Sequence, residues 1–196
     1  MSPTQPSIAL FPLNIVLFPG GPLPLRIFET RYVDMVRRCM REDQRFGVAL
    51  IREGNEVGPA ETFDVGTLAK IVDFHQLSDG FLGLSCLGEQ RFRIVGRGRQ
   101  VDGLNLAQIE QLPSEPKLAV PERHARLPKL LESVLPQLGE VYAGIEMHLD
   151  DAAWVGFRLA EILPIAAAEK QFFLELDDPI GRLDALSPLA EAPPKH

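Results

Sequence analysis

Cysteine is scarce in this chain: Cys39 and Cys86 are the only two among 196 residues. Two cysteines cannot form the set of disulfides that stabilises small secreted domains. We therefore expect two reduced thiols and a cytoplasmic protein.

Long apolar runs are also missing. No stretch reaches the roughly 18 apolar residues that a membrane-spanning helix needs. The N-terminal residues, MSPTQPSIALF, lack a basic segment leading into an apolar one, which is the mark of a secretory signal. We therefore expect no export signal and no membrane partner.

Motifs for nucleotide or metal chemistry are absent as well. The chain contains no GxxxxGK followed by Ser or Thr, so no nucleotide site is expected. His124, His148 and His196 show no ligand spacing and are expected at the surface. The prediction is that the protein uses no cofactor and no metal.

The charge is acidic and unevenly placed. The net charge is −7. Up to Leu112 there are twelve Lys and Arg and thirteen Asp and Glu, whereas from Pro113 onward there are eight and fourteen. An acidic protein repels nucleic acid at long range, so a nucleic-acid partner is not expected. The 45% hydrophobic content is that of a globular protein with a core.

The N-terminal part has the pattern of a β-rich domain. Two tight hairpins are predicted, one at Ser78 to Gly80 and one at Val101 to Gly103. One helix is predicted from Glu29 to Asp43, with Tyr32, Val36, Cys39 and Met40 at helical spacing. Short runs rich in branched and aromatic residues predict the strands, namely RFGVALI, VGTLAKIVDFHQL, GFLGLSCLG and EQRFRIVG.

The opening stretch, ALFPLNIVLFPGGPLPLRIFETRY, is too apolar for an ordinary loop and too rich in proline for one helix. We interpret IALFP and NIVLFP as two edge strands that each end at a proline. The PGGP segment from Pro19 to Pro22 is predicted to turn, with its glycines free to take positive φ. LPLRIFE then returns as an extended segment into the helix.

The C-terminal part has a helical period instead. A helical stripe runs from Leu127 to Leu138, Asp150 or Asp151 can cap a second helix, and Asp178 followed by Pro179 opens a last one. The predicted fold class is α+β. It has a β-rich domain over 1–112, a proline-rich linker over 113–122, a helical bundle over 123–190 and a frayed tail over 191–196.

The stretch FPLNIVLFPGGPLPLRIFETRYVDMVRRCM resembles the opening of the N-terminal domain of Lon proteases, where a similar proline pattern runs into a helix. The resemblance continues through FGVALI, VGTLAKIV and GEQRFRI, and it resumes in LPIAAAEKQFFLELDDPIGRLDAL, from Leu163 to Leu186. Each motif alone is weak, but their order and spacing along nearly the whole chain make the match specific.

The resemblance implies a PUA-like pseudo-barrel of mixed strands with one inserted helix, similar to the domain found in cereblon, followed by a C-terminal helical bundle. In Lon this region helps to recognise and hold protein substrates, while separate modules unfold and cleave them. The five lysines match no part of the Lon protease module. We therefore expect a free-standing, ATP-independent protein without ATPase or protease modules.

The leading hypothesis is a non-catalytic module that binds unfolded or partner polypeptides, acting as an adaptor in protein quality control. Loop apolar residues beside strand ends suit extended polypeptide. The candidate binding residues are Phe11, Phe18, Leu23 and Leu25 in the opening stretch, together with Phe172 and Phe173 on a short helix. Adjacent helical residues differ by about 100° in direction, so one Phe could pack inward while the other is exposed, or both could be interior.

Two alternatives remain open. If Asp79 and Gly80 centre a hairpin, then Asp73, His75 and Cys86 share one face, and Cys86 with His75 could form the nucleophile pair of a small thiol-dependent hydrolase. The other alternative is RNA binding through the arginine stripe from Arg91 to Arg99 in EQRFRIVGRGRQ. A solvated outer face, with Arg91 and Arg93 on it, explains the stripe without a ligand.

Overall fold

The structure is a computed structural model that describes residues 7–56 and 60–191. The chain divides into two compact units, with the division between Pro113 and Ser114. Apart from position 191, the tail predicted over 191–196 lies outside the described residues, and so does His196.

Mixed β-sheet makes up most of the first unit. Its strands are β1 (Ser7–Leu13), β2 (Pro22–Ile27), β3 (Phe46–Gly54), β4 (Ala60–Thr62), β5 (Val65–Gln76), β6 (Leu82–Arg99) and β7 (Asn105–Gln111). The pairing order is β1-β7-β6-β5-β3-β4, and β1 also pairs with β3. The path from β1 through β7, β6, β5 and β3 therefore closes on itself. β1 and β3 run parallel, and β2 joins β6 outside this path.

Two apolar clusters pack on the opposite faces of these strands. Every strand of the closed path contributes to one of them, so this cluster fills the space that the path encloses: Leu10, Ala49, Leu68, Phe92, Ile94, Ala107 and Ile109. The residues on the other face are the alternate ones on β1, β3 and β5, and on β6 they precede a register shift that lies between Cys86 and Phe92. They form the second cluster, which includes Phe11, Phe46, Val48, Ala69, Leu84 and Cys86.

Helix α1 (Thr30–Glu42) covers the second cluster. The sequence predicted this helix within one residue at each end. Its buried face consists of Tyr32, Met35, Val36 and Cys39, the i, i+3, i+4, i+7 pattern of an amphipathic helix. Met40, predicted on that face, is 44% exposed, because it lies about 100° round the helix from Cys39 and so at the edge of the buried stripe.

The opening stretch differs from its prediction. β1 continues through Pro12 to Leu13, and NIVLFP is a loop rather than a strand. Pro12 lies beyond Leu10, the last residue of β1 that pairs with β7. At Pro12 the strand pairs with β3 alone, and proline is tolerated where one edge of a strand is unpaired. The predicted turn is confirmed, and Gly20 takes a φ of 69° within it.

GFLGLSCLG and EQRFRIVG, predicted as separate strands, form the single strand β6 of 18 residues. The prediction of two strands was wrong because Gly88, between them, lies in a close backbone contact rather than in a turn: a Cβ there would be 2.2 Å from the Phe18 carbonyl oxygen. Both predicted hairpins are confirmed, with Gly80 and Gly103 at φ values of 85° and 86°.

The second unit is helical among its described residues. Its helices are α2 (Arg126–Val134), α3 (Glu140–Ala143), α4 (Ala152–Ile162), α5 (Ala167–Glu175) and α6 (Pro179–Glu191), with 3₁₀ turns at Glu122–His124 and Leu135–Leu138. Asp151 caps α4 by accepting a hydrogen bond from the Ala153 N–H at 3.0 Å. Asp178 does the same for Ile180 at the start of α6, also at 3.0 Å.

The residues that follow Pro113 are bonded along this unit. The Ala152 N–H donates to the Leu118 carbonyl at 2.8 Å, and Ala119 forms a bridge with Asp151. Glu115 pairs with Arg182 of α6 at 2.6 Å. The proline-rich segment therefore forms an extended strap on the helices.

The position of His124 also differs from its prediction. It was predicted at the surface, but it is 4% exposed, and its Nε2 lies 2.6 Å from Asp184 Oδ1. The carboxylate on α6 supplies a polar partner that allows the imidazole to be buried. No helix in the described ranges is long and apolar enough to cross a membrane.

Candidate functional site

An apolar cleft of about 340 Å³ opens in the first unit between the end of β1, the strand β2 and the start of α1. Its walls are mainly hydrophobic, and two carboxylates lie at its edge. The lining includes Phe11, Leu13, Ile15, Leu25, Phe28 and Tyr32, together with Glu29 and Glu56. Ile15 is 51% exposed and Phe28 is 55% exposed. Large hydrophobic side chains that remain in water around a concave apolar site are typical of a binding surface.

The wall of the cleft is fixed by packing. The rings of Phe11 and Tyr32 stack with centroids 4.0 Å apart and an interplanar angle of 16°. Phe11 lies on β1 and Tyr32 on α1, so this contact joins the strand to the helix. The Arg31 guanidinium covers the Tyr32 ring at 4.7 Å and donates to the Gly103 carbonyl at 2.9 Å. The cleft is therefore preformed.

Hydrogen bonds hold the loop of residues 14–21 against β5 and β6. The Thr67 hydroxyl donates to the Leu17 carbonyl at 2.6 Å. The Gly88 N–H donates to the Gly21 carbonyl at 2.8 Å, and the Gly20 N–H donates to the Gly88 carbonyl at 2.7 Å. These bonds explain how a stretch without strand pairing can bury apolar side chains and still present Ile15 to solvent.

The candidate residues of the opening stretch occupy different depths. Phe18 and Leu23 are 0% and 1% exposed, so they support the loop and β2 from inside the core. Phe11 is buried but lines the cleft, and the half-buried Leu25 lines it as well. The structure thus brings Phe11 and Leu25 together at one site and places Phe18 and Leu23 beneath it.

A second aromatic pair lies beside the cleft. Phe28 and Phe81 have ring centroids 6.2 Å apart in an edge-to-face arrangement. The Arg26 guanidinium stacks over Phe81 at 4.7 Å and pairs with Asp79 at 2.9 Å. The β5–β6 hairpin thereby extends the exposed aromatic surface.

Phe172 and Phe173 lie on α5 in the second unit. Phe173 is 5% exposed and Phe172 is 58% exposed, with their rings 5.4 Å apart. Of the two arrangements left open by the sequence, the structure has one Phe inward and one outward. Of these two residues, only Phe172 offers surface to a ligand.

Sequence reasoning missed Ile15, Phe28 and Tyr32 as lining residues. Tyr32 was expected in the core, and Ile15 was placed on a strand that does not form. The sequence signal for Phe28 was its position directly before the helix cap. An apolar residue there belongs to neither the buried face of a strand nor the buried face of the helix.

A larger cleft of about 600 Å³ also lies along α1, but its chemistry differs. It mixes apolar side chains such as Met35 and Leu106 with charged and amide side chains such as Arg38, Arg45, Glu89 and Gln90. Arg45 and Glu89 bond to each other at 2.8 Å. In the 340 Å³ cleft only Arg26, Glu29 and Glu56 are charged and the other lining residues are hydrophobic, so it is the better candidate for an apolar ligand.

The thiol arrangement does not form. The hairpin loop comprises Ser78, Asp79 and Gly80, so His75 pairs with Gly83 and Asp73 with Ser85. A two-residue loop was assumed, and the one-residue difference moves Asp73 and His75 to the face opposite Cys86. Burial raises the pKa of the Cys86 thiol to about 12, which disfavours the nucleophilic thiolate.

The arginines from Arg91 to Arg99 do not form one exposed surface. Arg91 is 4% exposed, against the expectation that it shares a solvated face with Arg93, because its partner across the β5–β6 pairing is the fully buried Thr67. Arg97 donates to the Thr62 hydroxyl at 2.8 Å and pairs with Asp64 at 2.7 Å. Arg99 donates to the Gly103 carbonyl at 3.1 Å. Within the described ranges, no group of three or more His, Cys, Asp or Glu could hold a metal.

A known protein family matches most of the chain. The family model for the ATP-dependent protease La (LON) substrate-binding domain matches residues 7–191. The chain belongs to this family. The resemblance to the Lon N-terminal domain is therefore confirmed.

Several proteins are similar to this LON substrate-binding domain. Lon protease 2 of Myxococcus xanthus is 28% identical over 185 residues, which cover 90% of this chain and 22% of that protein. Cereblon of Danio rerio is 31% identical over 114 residues, which cover 57% of this chain and 25% of that protein. The chain spans about a quarter of the length of the curated relatives it matches.

Solved structures extend the comparison. The Lon N-terminal domain protein from Xanthomonas campestris is 37% identical with a TM-score of 0.79, over 96% of this chain and 99% of that one. The N-terminal domain of the Mycobacterium avium complex Lon protease has a TM-score of 0.68 at 18% identity, over 94% and 97% of the two chains. The second likeness concerns the fold alone.

Proposed function

We propose that this LON substrate-binding domain is a non-catalytic module that binds exposed apolar segments of polypeptides through the 340 Å³ cleft. The observation that carries the proposal is the exposure of Ile15 and Phe28 around walls built from Phe11, Leu25 and Tyr32. Burial of such side chains is favourable by about 25 cal/mol per Å² of apolar surface. Membership of the family supports a polypeptide as the ligand.

Each candidate residue has a role in this proposal. Phe11 and Leu25 contact the bound segment, and the exposed side chains of Ile15 and Phe28 contact it as well. Phe18 and Leu23 act indirectly, by holding the loop and β2 in place. In the second unit, Phe172 provides a separate apolar contact and Phe173 anchors α5.

We assign the first unit to the PUA-like pseudo-barrels and the second to a C-terminal helical bundle, with boundaries at 1–112 and 123–190. The closed strand path and the packing of α1 against the sheet support this assignment. We further propose that the protein acts in the cytoplasm as an ATP-independent adaptor in protein quality control.

Binding to an unfolded model protein tests the proposal. A reduced and carboxymethylated protein should bind saturably, and NMR amide shifts should be concentrated at Ile15, Leu25 and Phe28. The Phe28→Ser variant should bind more weakly, whereas Val101→Ser, which changes an exposed apolar residue at the tip of the β6–β7 hairpin, should bind like the unaltered protein. Absence of saturable binding, or equal losses in the two variants, would refute the proposal.

The contribution of the helical unit is tested separately. Phe172→Ser should reduce binding of the same unfolded protein, because it removes an aromatic contact that is 58% exposed. Leu138→Ser is the matched control, since Leu138 is 44% exposed in the same unit. Equal affinities for the two variants would exclude Phe172 from the binding surface.

A further inference from the structure

The charged groups around the apolar cleft are not equivalent. Three charged residues line it: Arg26, Glu29 and Glu56. Arg26 is neutralised by Asp79 at 2.9 Å. Glu29 is neutralised by Arg31, whose guanidinium lies 2.7 Å from its Oε2 and is 10% exposed. Among the described residues, Glu56 is bonded to no cation.

The Glu56 carboxylate is nonetheless fixed at the cleft. Its Oε1 accepts a hydrogen bond from the Asn14 N–H at 2.8 Å. Asn14 directly precedes Ile15, one of the exposed lining residues. The hydrogen bond therefore holds a negative charge beside the apolar surface, and within residues 7–56 and 60–191 no group is bonded to its second oxygen, Oε2.

We infer that the cleft selects among apolar segments by charge, and that Glu56 is the specificity-determining residue. This inference rests on the proposed function. The preferred ligand is an extended segment in which Lys or Arg flanks large apolar side chains. The apolar residues enter the cleft and the cationic group pairs with Glu56. A segment flanked by Asp or Glu places like charges together and is disfavoured.

The exposure of Glu56 sets the expected size of the preference for Lys-flanked peptides. Glu56 is exposed, and an ion pair in contact with water contributes modestly. We expect the unaltered protein to bind a Lys-flanked peptide about fivefold more tightly than a Glu-flanked peptide with the same apolar core at low salt. The ratio should fall as salt increases, because exposed charges are screened.

The experiment uses fluorescent peptides with one shared apolar core and flanks of Lys, Gln or Glu. In Glu56→Gln, an amide oxygen remains to accept the Asn14 N–H while the charge is lost. Glu53→Gln is the control, since Glu53 is exposed on β3, does not line the cleft, and changes the net charge equally. Glu56→Gln should lose most of the preference for Lys flanks, Glu53→Gln should keep it, and Glu56→Lys should favour Glu flanks.

The outcomes separate this inference from the proposed function. Equal binding of all three peptides by the unaltered protein would overturn charge selection and leave apolar binding intact. Equal losses of preference in Glu53→Gln and Glu56→Gln would also overturn the inference, since the preference would then come from the net charge of −7. Failure of every peptide to bind would overturn both proposals.

Discussion

Arg182 and Glu115 form an ion pair within the helical unit, with the guanidinium Nη1 and Nη2 at 2.9 and 2.6 Å from the two carboxylate oxygens. The side chains are 0% and 6% exposed. Arg182 also donates to the Phe173 carbonyl at 3.0 Å and lies over the Phe157 ring at 4.0 Å. One side chain thus links the strap after Pro113 to α4, α5 and α6.

The Arg182→Met variant should lower the free energy of unfolding of the helical unit by about 3–5 kcal/mol, because it leaves the Glu115 carboxylate buried without its cation. Urea unfolding followed by circular dichroism measures the loss. Lys129→Met, at an exposed position on α2, should change little. An unaltered midpoint in Arg182→Met would show that the pair is not structural.

The Gly88→Ala variant should destabilise the first unit and weaken binding at the cleft. The added Cβ would lie 2.2 Å from the Phe18 carbonyl oxygen, so the loop above β6 must move, at a cost of about 1–3 kcal/mol. Gly98→Ala, on the same strand, meets its nearest atom at 3.8 Å and should be neutral. Thermal melting and peptide titration of the two variants would distinguish them, and equal behaviour would contradict the assigned contact.

Cys39 and Cys86 should be unreactive in the folded protein. Burial raises the pKa of both thiols, that of Cys86 to about 12, so the thiolate is scarce between pH 7 and 9. A chromogenic disulfide reagent should react with both thiols only after denaturant is added, at a rate that follows unfolding. Rapid reaction of one thiol under native conditions would revive the nucleophile hypothesis.

Acid should weaken the contact between the first 3₁₀ turn and α6. Hydrogen bonds from Arg123 and then His124 hold the pKa of the Asp184 carboxyl below its usual value. A lowered folded-state pKa contributes stability above the unfolded pKa of about 4, and this stability is lost as pH falls through the folded value. The urea midpoint should therefore decline below about pH 4.

The Asp184→Asn variant should show a smaller decline over that acid range, because the titrating group is gone. Glu132→Gln, which alters an exposed carboxyl on α2, should retain the full decline. If both variants titrated like the unaltered protein, Asp184 would not be the group responsible.

Local signals predicted the elements they control. The bounds of α1 followed from apolar spacing, the hairpins at Gly80 and Gly103 from turn residues, and the start of α6 from Asp178 with Pro179. Family motifs predicted the Lon N-terminal type. For the helix, the hairpins and the start of α6, the determining contacts lie within a few residues of sequence.

Features that depend on distant partners were not predictable in this way. The register of β5 against β6 depended on one residue of loop length, which a hairpin motif does not specify. The burial of His124 depended on Asp184, 60 residues away. The cleft itself was predicted only through Phe11 and Leu25, since its other walls come from elements whose association a linear pattern does not encode.

The length of β6 has a consequence for cooperativity. Its first part pairs with β2, which borders the cleft, and its second part pairs with β7, while β5 runs beside both. Exchange of the amide hydrogens along this strand therefore requires neighbouring pairings to open on either side. We therefore expect the cleft border and the enclosed apolar cluster to open as one cooperative unit, and occupancy of the cleft to slow solvent exchange as far away as Ile94.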